Sequence, residues 1–110
     1  MIYAVTVSLD IQTLDPALAD RLMARPNCEP GATLAVPGGI LVFQSALISC
    51  QPGEASLYRF ILQFGALRDA AVVGNWLFNQ LRGSGAALLV AGHLIPIDHR
   101  TIISSLKQVA

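Results

Sequence analysis

Residues 66–98, ALRDAAVVGNWLFNQLRGSGAALLVAGHLIPID, decide how this chain folds. Leu67, Ala70, Ala71, Gly74, Leu77, Phe78 and Leu81 recur at helical spacing, with Arg68, Asn75, Asn79 and Arg82 mostly opposite. That pattern predicts an amphipathic helix over 66–82. Gly83 supplies the left-handed residue that ends it. Ala86 to Ile95 has too few polar residues for a strand with one wet face, so it reads as a central strand covered on both sides or at an interface. Asp98 then caps a last helix, whose stripe is Ile102, Ile103, Leu106 and Val109.

Working toward the N-terminus, Leu57 to Phe64 places Tyr58, Phe60, Leu62 and Phe64 on one face and Arg59, Ile61 and Gln63 on the other. Ile40 to Cys50 is uncharged and rich in Ile, Val, Leu and Phe, and Gln51-Pro52-Gly53-Glu54 joins the two runs as a hairpin. Asn27 to Gly39 is an irregular connector with an apolar run at Leu34 to Val36, room for a short edge strand, and Pro37-Gly38-Gly39 reads as a turn into the next strand. Residues 2 to 9 alternate, with Tyr3, Val5, Val7 and Leu9 against Ile2, Ala4, Thr6 and Ser8, which marks a half-buried strand. Asp15-Pro16 starts a helix with Leu18, Leu22 and Met23 inward, and that helix stops before Pro26.

The resulting order is strand, helix, strand, strand, helix, strand, helix. It predicts a single α+β domain over 1–110, a ferredoxin-like (βαββαβ) antiparallel sheet with helices on one face plus an extra C-terminal helix. The second sheet face, with Ile2, Ala4, Thr6, Ser8, Arg59, Ile61 and Gln63, is left open. Its mixed, partly apolar character suits docking.

Composition narrows function further. The chain of 110 residues is 54% hydrophobic and 13% charged, with seven Lys plus Arg against seven Asp plus Glu. The cations are scattered, whereas phosphate binding needs them clustered, so a nucleic-acid partner is disfavoured. A net charge of zero gives weak self-repulsion and favours association. No 18-residue apolar helix is expected, and the opening residues lack the basic and apolar regions of a signal peptide, which points to a cytoplasmic protein without a membrane partner. Cys28 and Cys50, 22 residues apart, match no zinc or redox spacing and are expected to be free thiols.

Candidate chemistry is sparse. His93 and His99 are the only histidines, and Asp98 between them is accounted for as a helix cap. Gly83-Ser84-Gly85 follows a helix, whereas phosphate loops open one. Ser45, Ser49, Cys28 and Cys50 lie in no nucleophile motif. Asp10, Asp15 and Asp20 have a spacing that does not align carboxylates on a helix face, and Asp10 is expected to begin a loop. The expectation is therefore no catalytic residue, no metal and no cofactor. Trp76 and Phe78 point roughly 200° apart on the helix, so one can be core while the other reaches its edge, and Trp76 reads first as a rim residue covering the helix-to-sheet boundary and otherwise as an interface anchor.

The strand Tyr3 to Asp10, the aromatic strand Tyr58 to Leu62, the helix running to Leu81-Arg82-Gly83-Ser84-Gly85-Ala86 and the strand Leu88-Leu89-Val90 resemble small α/β immunity proteins of bacterial contact-dependent growth inhibition systems. The resemblance covers residues 3–10 and 57–100. It implies a cytoplasmic toxin inhibitor that binds one toxin domain, often a nuclease, and blocks it by occlusion. Such proteins are often acidic and complement a basic toxin; this chain is neutral, and partner contact is expected from an apolar patch with Arg59, Gln63 and Trp76 as polar and aromatic anchors. The alternative is a ferredoxin-like homo-oligomerising or small-ligand-binding domain that uses the same open face. An enzyme of the dimeric type, with His93 or His99 facing a pocket between sheet and helices, is the third reading.

Overall fold

In the computed structural model of the chain, residues 3–15, 17–48 and 55–108 are described. They form an α+β fold with one six-stranded antiparallel sheet and three helices. The elements run β1 (Val5–Thr13), α1 (Leu18–Leu22), β2 (Thr33–Val36), β3 (Gly39–Ile48), β4 (Ser56–Phe64), a 3-10 turn (Leu67–Asp69), α2 (Ala70–Leu81), β5 (Ala87–Val90), β6 (His93–Ile95) and α3 (His99–Gln108). The strand order is β2-β3-β4-β1-β5-β6.

Alternation in the two longest pairs of strands determines which face is buried. Val5, Val7, Leu9 and Ile11 of β1, Phe60, Leu62 and Phe64 of β4, Leu41 and Phe43 of β3, and Leu88 and Val90 of β5 all point to one side. Leu18 and Leu22 of α1, Val73, Leu77 and Leu81 of α2, and Ile102 and Leu106 of α3 complete the same core. All three helices therefore contribute to one apolar layer on one face.

β1 is longer than the alternation of residues 2–9 suggests. Asp10, expected to begin a loop, lies inside the strand opposite Arg59 of β4, where a counter-charge makes a carboxylate tolerable. Thr13, 3% exposed, ends the strand, and its Oγ1 accepts the Asp15 N–H at 3.0 Å. Asp15 Oδ1 accepts the Ala17 N–H at 2.9 Å in the turn before the first helix, which itself begins at Leu18 with Ala17 at its N-cap position and no side-chain cap, while Pro16 lies outside the described residues. That helix is a short one, ended at Ala24, which takes a φ of 54°.

The edge strand foreshadowed by Leu34 to Val36 exists as β2, joined to β3 by Pro37-Gly38. Gly38 has φ +85°, and a Cβ at Gly39 would collide with the Gln63 carbonyl oxygen of β4. The turn Gln51 to Glu54 falls outside the described residues, but the β3–β4 pairing on either side of it is present, with bulges between Phe43 and Ser45 and between Ala46 and Ile48.

The chain corrects the sequence reading in two further places. Residues 86–95 are not one central strand: Ala91 (φ 50°) and Gly92 (φ 83°) turn the chain back, and Leu88, Leu89 and Val90 pair with Ile95, Leu94 and His93. Two successive positive φ values are the signature of a two-residue hairpin turn. The sheet thus gains a strand at each edge beyond the four expected. Second, the predicted helix over 66–82 begins as a 3-10 turn, whose tighter winding puts Leu67 out of phase with the stripe. Leu67 is 45% exposed and Ala71 is exposed, while Ala70, Gly74, Leu77 and Leu81 are buried as expected.

α3 begins as expected at Asp98, whose Oδ2 accepts both the Thr101 N–H at 3.0 Å and the Thr101 hydroxyl at 2.9 Å. It packs along α2 at Gly74. Ile102 and Leu106 are buried, Ile103 is half-buried, and Val109 lies outside the described residues. No described helix is long and apolar enough to cross a membrane.

Candidate functional site

The face of the sheet opposite the helices is built by the second half of the same alternation. On it, Thr6 of β1 stands beside Gln63 of β4 and Ile40 of β3; Ser8 stands beside Ile61 and Val42. Asp10 stands beside Arg59 on one side and Leu89 of β5 on the other, and Leu89 is paired in turn with Leu94 of β6. These side chains are half-buried or exposed, and Leu94 is 71% exposed. Two apolar areas result, Ile40, Val42 and Ile61 on one flank and Leu89 and Leu94 on the other, with the polar row of β1 between them.

Arg59 and Asp10 form the one ion pair of this face among the described residues. Arg59 Nε donates to Asp10 Oδ1 at 2.8 Å and Nη2 donates to Oδ2 at 3.0 Å, a two-pronged contact that fixes the plane of the guanidinium. The hydrogen bond to Asp10, and then its charge, push the Arg59 pKa up. The guanidinium stays charged throughout the accessible pH range, and its contact with the Asp10 carboxylate makes the pair internally neutral.

Of the three expected anchors, the structure brings two together and separates the third. Arg59 and Gln63 lie four residues apart on β4 and share the open face. Trp76 is half-buried on α2 and packs against the core on the helix-covered side, so it does not join them. Phe78 is half-buried as well, edge-on to His99 with ring centroids 5.6 Å apart. Both aromatics are half-buried and packed against the core, which for Trp76 is the rim position that the sequence suggests. Asp10, Leu89 and Leu94 were missed as members of the face. The polar alternation Ser8, Asp10, Gln12 was the signal for Asp10; Leu89 and Leu94 were hidden by reading residues 86–95 as one covered strand.

The other candidate groups are dispersed. His99 opens α3, and its Nε2 lies 3.0 Å from Asn75 Oδ1 on α2. His93 is exposed on β6 and lines a shallow cavity of about 190 Å³ with Val90, Ala91, Ile95, Ser105 and Gln108. Ser45 lies on the open face at a bulge, in the row of Arg59. Ser49 and Cys50 lie outside the described residues. Cys28 is a free, half-buried thiol whose pKa is pushed up, first by burial and then by the nearby Asp20 carboxylate, which accepts the Asn27 and Cys28 N–H groups. A raised pKa keeps it a thiol at neutral pH and a poor nucleophile. Gly83-Ser84-Gly85 is a capping turn: both glycines have positive φ, and the Ser84 hydroxyl donates to the Leu81 carbonyl and accepts the Ala86 N–H. Among the described residues no three His, Cys, Asp or Glu side chains gather as a metal-ligand set.

No protein family, no curated protein and no solved structure matches this chain. The arrangement of the open face is therefore the evidence from which a function is argued.

Proposed function

We propose that this chain is a non-catalytic binding domain that docks a protein across the helix-free face of its sheet. The observation that carries the reading is the gathering, on the helix-free face, of the half-buried Ile40, Val42, Ile61 and Leu89 and the exposed Leu94 around a single neutralised ion pair. Solvated sheet faces are ordinarily polar, and apolar area rimmed by polar groups marks an interaction surface. The order of the inner strands β3-β4-β1-β5 with α1 and α2 supports a ferredoxin-like reading of the fold, to which β2 and β6 would add an edge each and α3 an extra helix.

Two partners suit such a face. The resemblance to contact-dependent growth inhibition immunity proteins supports a toxin domain, neutralised by occlusion, with Arg59 and Gln63 among the contacts. The neutral composition and the internal pairing of Arg59 favour the second, a homo-oligomer, since neither offers the one-signed field that recognises a charged toxin surface. Pull-down of the tagged chain from its host, with light scattering on the purified species, tests the docking reading. Recovery of a one-to-one companion or a stable homo-oligomer is expected. Loss of neither on Ile61→Asp and Leu94→Asp substitution overturns the assignment to this face.

A further inference from the structure

Resting on the reading that the helix-free face docks a protein, we infer that its partner is a second copy of this chain, packed face to face about a two-fold axis that runs along the strands between β4 and β1. The sheet has three strands on each side of that line, β2-β3-β4 and β1-β5-β6. Asp10 and Arg59 straddle it as direct neighbours in register. A two-fold rotation about an axis in the plane of the interface, parallel to the strands, exchanges left and right at the same height. It therefore places Arg59 of one copy over Asp10 of the other, twice.

The two intramolecular pairs become a square of alternating charges, each guanidinium between two carboxylates. Arg59 has five N–H donors, of which Nε and Nη2 serve its own Asp10, so donors remain for the second carboxylate. This closes the chief objection to burying an ion pair, that charges removed from water need further partners. The same rotation keeps every row at its own height, so Leu89 of one copy comes over Ser45 of the other and Ile61 over Ser8, and these apolar side chains are covered by small polar ones. An isologous interface requires self-complementarity, which the central charges supply here.

Size and charge agree. The three long strands β1, β3 and β4 cover about 14 Å by about 30 Å at ordinary strand spacing and rise, and with the short strands β2, β5 and β6 the face offers on the order of 600 Å². A standard interface uses about 800 Å² per partner. A net charge of zero leaves no monopole repulsion between copies. Strands of packed sheets stay within about 30° of one another, which keeps the central pairs in reach.

The test is sedimentation equilibrium of the full chain from about 1 to 200 µM, a range set by ordinary homodimer affinities. A dimer is expected. Asp10→Arg alone and Arg59→Asp alone face like charges across the axis and should each weaken it tenfold or more, whereas the double reversal Asp10→Arg/Arg59→Asp rebuilds every contact and should restore the wild-type affinity. Circular dichroism of each variant reports folding, and Leu94→Asp, at a well-exposed position, weakens the dimer without that concern. A monomer throughout the range overturns this inference, while a one-to-one companion recovered by pull-down would leave the docking reading standing with another partner. A dimer indifferent to Leu94→Asp and Ile61→Asp, or one not restored by the double reversal, overturns it as well.

Discussion

Gly74 shows how one missing methyl group positions a helix. A glycine in mid-helix ordinarily costs about 0.5–1 kcal/mol relative to alanine. Here a Cβ would come within 2.7 Å of Ile103 Cγ1 and 3.4 Å of the Ile103 Cα. Neither atom is the free end of a flexible chain, so α3 itself would have to move. Gly74→Ala is therefore expected to destabilise the fold by about 1–3 kcal/mol, as overpacking does, despite its better helix propensity. Urea unfolding measures this; a more stable variant would mean that α3 is not seated on Gly74. Asp98 adds a pH dependence at the same helix. The Thr101 N–H, and next the Thr101 hydroxyl, hold its carboxyl below the ordinary carboxylate value. A depressed folded pKa contributes stability that is present above the unfolded-chain value, near pH 4, and lost as pH falls through the folded value. Asp98→Asn keeps a capping acceptor without the charge, so the loss of stability between pH 7 and pH 3 should be smaller in the variant than in the wild type. Equal losses would show that the cap does not titrate with folding.

At the scale of elements, the legible parts were those in which one residue type repeats at a period. The alternation Val5, Val7, Leu9 and the run Phe60, Leu62, Phe64 named the core face without ambiguity, and all six are buried. The β5–β6 hairpin was not legible because its turn is Ala91-Gly92, with none of the Asn or Asp that usually announces two left-handed residues. The apolar run on either side then read as one strand. The same fact makes the hairpin improvable. Ala91 holds φ at 50°, a conformation that asparagine adopts more readily than alanine. Ala91→Asn should stabilise the chain by a few tenths to about 1 kcal/mol, visible as a rise in melting temperature; a fall would mean that the turn is of another type. In α3 the stripe was right in composition and wrong by one residue in depth. Ile102 and Leu106 are fully buried whereas Ile103 is half-buried beside Gly74. Truncating either of the first two to alanine should cost about 2–5 kcal/mol, and Ile103→Ala less.

The whole molecule is a sheet with two unlike faces, and that asymmetry explains why its architecture could be read while its candidate site could not. A core is written locally, because each strand or helix must carry its own apolar stripe. An open face is assembled from positions on β3, β4, β1, β5 and β6 that are neighbours only after the strand order is known. Asp10 and Arg59 lie 49 residues apart in the chain and touch through two hydrogen bonds; nothing in either's local sequence announces the other. Trp76 could be placed by helical phase at the rim of the core, yet that phase did not show that the helix carrying it belongs to the covered side, away from Arg59 and Gln63. The asymmetry has a direct consequence for adjacent residues of one strand. Leu62 faces the core and is fully buried, while Ile61 beside it faces outward between Ser8 and Val42. Leu62→Ala should cost about 2–5 kcal/mol through the cavity it leaves beside Val7 and Leu41 in the core. Ile61→Ala, losing only partial burial, should cost clearly less, at most about 1.5 kcal/mol. Measured by denaturant unfolding at a concentration low enough to keep the chain monomeric, equal costs at the two positions would mean that the outer face is covered within a single chain, and the interface assigned to it would fall.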